Sequence, residues 1–234
     1  MLKRQGVPPR RIDIFVADKE QEKIYKSVIP RNYYNKLIVG KKGLANQLLF
    51  IKNYYPQGKC IVRCDDDIES VFKKVSDTEV KEVDLNIFIP YAFGVCMKEG
   101  LTYWGINKVA NPFYMTYGYS TDLRFIQGGF NGYINSNNKS YDLKIKDNST
   151  AEDIERTIRY YITDGGVVRF NEYAFKTKLF GDGGIQTELG GFEKRQKLIK
   201  KATTQLKKLY SNYGDVIPHK EQGVIFRLRR NPTD

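Results

Sequence analysis

Asp65-Asp66-Asp67 follow directly on the strand-like run Lys59-Cys-Ile-Val-Arg-Cys64. Three adjacent carboxylates at the end of an apolar strand repel one another, so holding them there requires compensating positive charge. A divalent cation supplies it, because hard ions such as Mg²⁺ and Mn²⁺ take carboxylate oxygen and bridge to the phosphates of a bound nucleotide. Asp65 and Asp67 point to the same side as the metal ligands, with Asp66 turned toward a sugar or ribose. A solvated acidic turn is the alternative, since aspartates favour turns.

Other residue groups offer chemistry of their own. Gly128-Gly129, and Gly183-Gly184 behind Asp182, permit close backbone approach to a sugar or an acceptor, or simply make turns. Phe113, Tyr114, Tyr117 and Tyr119, flanked by Lys108 and Arg124, can stack on a base or a sugar face, with core packing expected for at least two of the four. Lys194, Arg195, Lys197, Lys200 and Lys201, with Lys207-Lys208, line a helix whose apolar side carries Leu198, Ala202, Leu206 and Leu209. Together with Arg227, Arg229 and Arg230 they form a phosphate-tracking surface for DNA, or the solvated face of a docked amphipathic helix. Trp104 reads as core.

These residues need elements to place them. Arg11–Asp18 reads as a strand, Glu20–Ser27 as a short helix closed by Pro30, and Leu37–Val39 as a second strand. Leu44, Gln47, Leu48 and Ile51 then fall at helical spacing until Pro56 and Gly58, and Lys59–Cys64 is a third strand. That alternation is the signature of a parallel, doubly wound sheet, whose ligands bind beyond the carboxyl ends of the strands. Asp18, Gly40–Gly43 and Asp65–Asp67 lie at that edge and are expected to converge. Further on, Leu85–Glu99 reads as a helix burying Ile87, Tyr91 and Val95 and kinked at Pro90. Leu101–Gly105 and Phe125–Ile134 read as strands, and residues 135–149 as a polar loop. A helix capped by Thr150, with Asp153 as N3 partner, runs to Asp164 and Gly165-Gly166. Val167–Phe170 is a strand, Phe192–Tyr210 a Lys-rich helix and Val224–Arg229 a final strand. No repeat or low-complexity linker interrupts the chain, so one domain is expected: a lead-in over 1–10, a catalytic domain over 11–190, and a basic helix and tail over 191–234 packed on it.

In four pieces the chain resembles the GT-A glycosyltransferases. These are the first strand Ile12–Asp18, the helix start Gly43-Leu-Ala-Asn46-Gln47, the triplet Asp65–Asp67, and Ala151-Glu152-Asp153. The segment from Glu152 to Gly184 is most similar to the small glycosyltransferases associated with TET/JBP oxygenases, found in phages and in relatives that decorate hydroxymethylated pyrimidines in DNA. The similarity runs in islands over residues 11–190. Where the family's helix after the second strand often carries an Arg before Asn, Ala45 precedes Asn46 here, without an Arg contact to phosphate.

The resemblance implies an α/β, GT-A (Rossmann-like) domain with a mixed, mostly parallel sheet flanked by helices. It implies a metal-dependent transferase using a nucleoside-diphosphate sugar, UDP-linked, on a 5-hydroxymethylated pyrimidine in double-stranded DNA. Asp65 and Asp67 would hold Mn²⁺ or Mg²⁺ on the diphosphate, and His219, the single histidine, would complete the metal shell as a C-terminal histidine does in many GT-A enzymes. Asp18, Gly43, Asn46, Asp65, Asp66, Gly128 and Gly129 would line the donor. The physical demands agree: charge develops on the departing diphosphate, and a poorly nucleophilic hydroxyl gains from a carboxylate that removes its proton. Glu152-Asp153 is the candidate base site, Asp153 ahead of Glu152, although an acidic pair in the first turn also complements the helix dipole. An inverting outcome fits a base on the face opposite the leaving group. His219 is alternatively an exposed loop residue between Pro218 and Lys220.

Composition fits these expectations. A net charge of +12 and a pI near 9.4 suit a polyanionic partner or serve solubility. The apolar runs are short and Leu85–Val95 is broken by Pro90, and no apolar stretch follows Met1-Leu-Lys-Arg4, so no membrane segment or signal peptide is expected. Cys60, Cys64 and Cys96 lack zinc-ligand spacing and read as reduced packing thiols of a cytoplasmic protein, in a bacterial host if phage-encoded. A monomer or weak dimer is expected. Two rivals stand: the same enzyme with a glycan, protein or small-molecule acceptor, and a non-catalytic DNA-binding module with a structural triplet.

Overall fold

A computed structural model describes residues 1–145, 150–177, 192–220 and 222–232, without the side chains of 192, 193 and 195. The described chain is one α/β domain. Its strands are β1 (Asp13–Val16), β2 (Lys36–Val39), β3 (Cys60–Cys64), β4 (Ile68–Lys74), β5 (Val80–Glu82), β6 (Tyr103–Asn107), β7 (Tyr119–Ser120), β8 (Phe130–Ile134), β9 (Val168–Thr177), β10 (Gly214–His219) and β11 (Gly223–Leu228). Its helices are α1 (Lys19–Val28), α2 (Leu44–Tyr54), α3 (Leu85–Glu99), α4 (Glu152–Asp164) and α5 (Phe192–Leu209).

Helix ends follow local chemistry. Asp18 caps α1, its carboxylate accepting from the amides of Glu20 and Gln21, and Asp84 caps α3 by accepting from Asn86. Both α3 and α4 stop where a glycine takes a left-handed conformation, Gly100 at φ 69° and Gly165 at φ 81°. Thr150 does not cap α4: Ala151 stands at the cap position and no side chain caps the helix there. On α3 the buried face is Leu85, Phe88, Ala92, Phe93, Val95 and Cys96, which leaves the expected core residue Ile87 exposed and Tyr91 half out of the core at its margin, its ring against Phe170.

The sheet corrects the expectation of mostly parallel strands. Seven strands form one mixed sheet in the order β3-β8-β6-β9-β4-β5, with β7 beside β9. Only β6 and β9 run parallel as neighbours; every other pairing in this sheet is antiparallel. β1 and β2 are parallel and in register, but pair with each other as a separate ribbon, while β3 joins the large sheet through β8. The strand–helix alternation at the start of the chain is real; a single doubly wound sheet is not built from it.

The large sheet curls, because the link between β3 and β4 is too short to span a flat one. Four inter-strand steps separate β3 from β4, about 19 Å at ordinary spacing. The chain from Cys64 to Ile68 spans about 14 Å even when extended, and it turns, the Ile68 amide donating to the Asp65 carbonyl at 3.4 Å. The carboxyl ends of β3, β6 and β9 and the start of β4 are thereby drawn together. Gly129 marks the convergence: a Cβ there would lie 3.1 Å from Phe175 on β9 and 3.5 Å from Ile68 on β4.

One face of the sheet packs with α3 around Trp104, Phe130, Phe170 and Phe175. On the other, Tyr103, Ile126, Tyr133 and Tyr160 pack beside α4. The β10–β11 hairpin docks on α5, and with α4 they share Ile158, Ala202, Leu206 and Phe226. The basic tail is therefore part of the domain. Among the described residues no helix is long and apolar enough to cross a membrane.

Candidate active site at the acidic turn

Asp65-Asp66-Asp67 form the whole link between β3 and β4, at the edge where the sheet curls. The Asp65 amide donates to the Gly129 carbonyl at 2.9 Å, which pins the turn to the start of β8. Asp65 is half-buried, and Asp66 and Asp67 are exposed. Burial pushes the Asp65 carboxyl up to about 6, Arg63 opposing and the charges of Asp67 and Glu152 adding to the rise. Asp67 is raised as well, by burial and by Asp66. The Asp66 carboxylate accepts a 2.6 Å hydrogen bond from Tyr25 of α1.

The first turn of α4 meets this link from across the chain. Glu152 is buried and pairs with Arg63 at 2.6 Å and with Arg156 at 3.2 Å. Burial raises its carboxyl, but Arg156 and Arg63 outweigh that and hold it below its ordinary value. A carboxylate so paired is a poor proton acceptor. Asp153 forms no ion pair among the described residues. Its oxygens accept from the amides of Ile154 at 2.9 Å and Gly128 at 3.4 Å, and burial together with the Glu152 charge pushes it up to about 7.

Gly128-Gly129 lie between the two acidic groups, and both are buried. A Cβ on Gly128 would stand 3.0 Å from Glu152 Oε1 and 3.2 Å from both terminal nitrogens of Arg63. A side chain at Gly128 would therefore crowd Glu152 and Arg63, and one at Gly129 would crowd Phe175 and Ile68.

The remaining expected residues divide. Asp18 and Gly43 share the carboxyl edge of the β1–β2 ribbon. Asp18 is occupied as the α1 cap, Gly43 enters α2 at φ 88°, and the Asn46 amide bonds back to the Lys42 carbonyl. His219 does not join Asp65 and Asp67: it ends β10 opposite Gly223, its Nδ1 accepting from Gln222, and the described residues contain no metal-competent group of three His, Cys, Asp or Glu. Lys194, Lys197, Lys200, Lys201 and Arg227 are exposed, as a polyanion surface requires. Arg229 is engaged by both oxygens of Asp215, which also pairs with Lys207, so it is not a free phosphate contact. The Arg195 side chain, and Asp182 with Gly183-Gly184, lie outside the described residues. Leu209, expected on the apolar side of α5, is exposed, and Ile199 is buried in its place.

Three of the four loop aromatics face solvent, Phe113 at 79%, Tyr114 at 72% and Tyr117 at 60% exposure, so only Tyr119 packs on the core. Cys60 is exposed, Cys64 half-buried and Cys96 buried, and all three are free thiols.

The donor set fits a divalent ion in one mode only. Two neighbouring carboxylates with raised proton affinity suit Mg²⁺ or Mn²⁺ carried in on nucleotide phosphates, which needs one or two protein carboxylates; a closed protein cage is not built here. Comparisons of the chain with protein-family models, with curated proteins and with solved structures find no match. Arg63, Arg156 and Tyr25 escaped the sequence reading. Arg63 carried a signal, being a cation inside an apolar strand two residues before an aspartate triplet.

Proposed function

We propose that this protein is a nucleotide-sugar-dependent glycosyltransferase of GT-A character. The observation that carries the reading is the meeting of the strand-end triplet with the Glu152-Asp153 helix start, 87 and 86 positions beyond Asp65 and Asp67 respectively, across Gly128-Gly129. A phosphate-capturing carboxylate pair and a separate proton acceptor are the two functions that sugar transfer to a hydroxyl demands. Asp65 and Asp67 would hold Mn²⁺ or Mg²⁺ with the diphosphate, and the ion would stabilise charge on the leaving group. Asp153 accepts the acceptor's proton, since its environment places it near neutrality and leaves it without a cationic partner among the described residues. Glu152 orients the turn.

For the acceptor we propose a 5-hydroxymethylated pyrimidine in duplex DNA, supported by the exposed lysines of α5 and the net positive charge. The exposed rings of Phe113, Tyr114 and Tyr117 favour a second reading, a glycan acceptor stacked on aromatic faces. The deciding experiment is transfer of label from a panel of UDP-sugars, with Mn²⁺, to duplex DNA containing 5-hydroxymethylcytosine, with unmodified DNA and metal-free controls. Label on modified DNA alone supports the first reading. Metal-dependent donor hydrolysis without labelled DNA moves the acceptor elsewhere, and neither outcome with any donor removes the glycosyltransferase.

A further inference from the structure

Arg63 touches more of the site than any residue singled out by its sequence motif. Its Nε donates to Asp65 Oδ1 at 3.3 Å and its Nη1 to Glu152 Oε1 at 2.6 Å. Arg156 also pairs with Glu152, at 3.2 Å, and the two cations together hold that carboxylate below its ordinary value, but of the two only Arg63 also bonds Asp65. What it adds is a bond between two segments 89 positions apart. The fork also lies against Gly128, where any Cβ would stand 3.2 Å from its terminal nitrogens, and the Gly128 amide is a donor to Asp153. One planar guanidinium therefore borders Asp65, Glu152 and the peptide that holds Asp153. With Nε on Oδ1, the other Asp65 oxygen has no hydrogen-bond partner among the described residues.

We propose that Arg63 is a positioning residue that locks the acidic turn to the start of α4, fixing the Asp65 carboxylate for ion–nucleotide capture and the Gly128 amide for Asp153. The proposal deepens the glycosyltransferase reading and rests on it for the ligand. Arg is required because its rigid fork makes two divergent bonds that a lysine ammonium, a single point charge, does not reproduce.

The test uses the full chain, wild type, Arg63→Lys and Gly128→Ala, each checked by thermal melting. Arg63→Lys keeps the charge and removes the fork; Gly128→Ala keeps Arg63 and crowds the fork out of place. Binding of Mn²⁺ with UDP is followed by electron paramagnetic resonance, and the Gly128 amide and Asp153 carboxyl shifts by NMR. We expect both folded variants to bind Mn²⁺–UDP at least about tenfold more weakly, the range for residues that orient metal ligands, with an altered Mn²⁺ spectrum, a moved Asp153 carboxyl resonance in both, and a moved Gly128 amide resonance in Arg63→Lys. Wild-type binding matched within about twofold by both variants overturns the positioning role. Failure of the wild type to bind Mn²⁺–UDP sinks the nucleotide reading instead, and the NMR shifts then decide alone: resonances unmoved in a folded variant overturn the lock, and moved resonances sustain it.

Discussion

Tyr25 of α1 donates its hydroxyl to Asp66 of the acidic turn across 2.6 Å, which ties the helix behind the β1–β2 ribbon to the edge of the large sheet. Burial and the Asp66 carboxylate push the phenol up to about 12, so the donor stays protonated through the physiological range. Tyr25→Phe is expected to destabilise the fold by about 1 kcal/mol, as for a net hydrogen bond. Asp66→Ala should cost a similar amount and the double variant little more, read from urea denaturation midpoints.

Asp67 is exposed and pairs with no cation among the described residues, so its loss should leave the fold intact. Asp67→Ala is expected to reduce Mn²⁺-dependent turnover by about 100-fold or more while shifting stability by less than about 0.5 kcal/mol. Full activity in the folded variant would remove the triplet from the mechanism.

Asp153 gives a pH dependence whose two parts have opposite sign. Its folded carboxyl titrates near 7 against an ordinary 3.8, so between those values the native chain keeps a proton that the unfolded chain has released. Its contribution to stability is therefore greatest below 3.8 and is lost as pH rises through about 7. Turnover runs the other way, rising through about 7 as the base becomes free to accept a proton. Asp153→Asn should flatten this part of the stability profile and reduce turnover by roughly 10²–10⁴-fold; an unchanged rate–pH curve would exclude the base role.

Glu152 is a structural hub. Removing it leaves Arg63 and Arg156 facing each other in a buried setting, and Arg156 itself is buried. Glu152→Ala is expected to cost about 3–5 kcal/mol, the range for breaking one partner of a buried ion pair. A melting temperature equal to the wild type would show that water relieves the pair.

The α5 surface makes a separable prediction. Lys197→Glu, Lys200→Glu and Lys201→Glu in combination should weaken duplex DNA binding and lower the salt slope by about 0.9 for each phosphate no longer neutralised. Donor hydrolysis should be unaffected. A salt slope equal to the wild type would turn the basic face into a solubility feature.

Much of the local structure was legible in the residues. The apolar run before Asp65 and the spacing of Leu85–Glu99 each follow from short-range chemistry, and the corresponding elements form, whereas Asp18, expected as a donor contact, is the cap of α1. Asp18, Gly40–Gly43 and Asp65–Asp67 are expected on one parallel-sheet edge, but β1 and β2 form a ribbon apart from the sheet that carries β3, and it is the start of α4 that meets the triplet. The pairing partners were not legible, because β3 and β9 both find their neighbours more than 60 positions away, at Phe130–Ile134 and at Ile68–Lys74. β4, β5, β7 and β10 went unread: β4 begins directly behind the aspartates, β5 and β7 are three and two residues long, and β10 carries Pro218 in its run. The buried face of α3 was misread because Ile87 and Tyr91 are as apolar as Phe88 and Ala92, and only the packing partner distinguishes them.

The three-residue link between β3 and β4 also constrains the order of assembly. The two strands adjoin in the chain but stand four steps apart in the sheet, and the strands between them extend to Thr177. No local hairpin can bring them together, so closing this loop waits on pairings of long sequence separation, the slow class of folding contact. During synthesis the aspartates therefore emerge on a segment that has no place to dock. Their site becomes fixed only after about three quarters of the chain has been made.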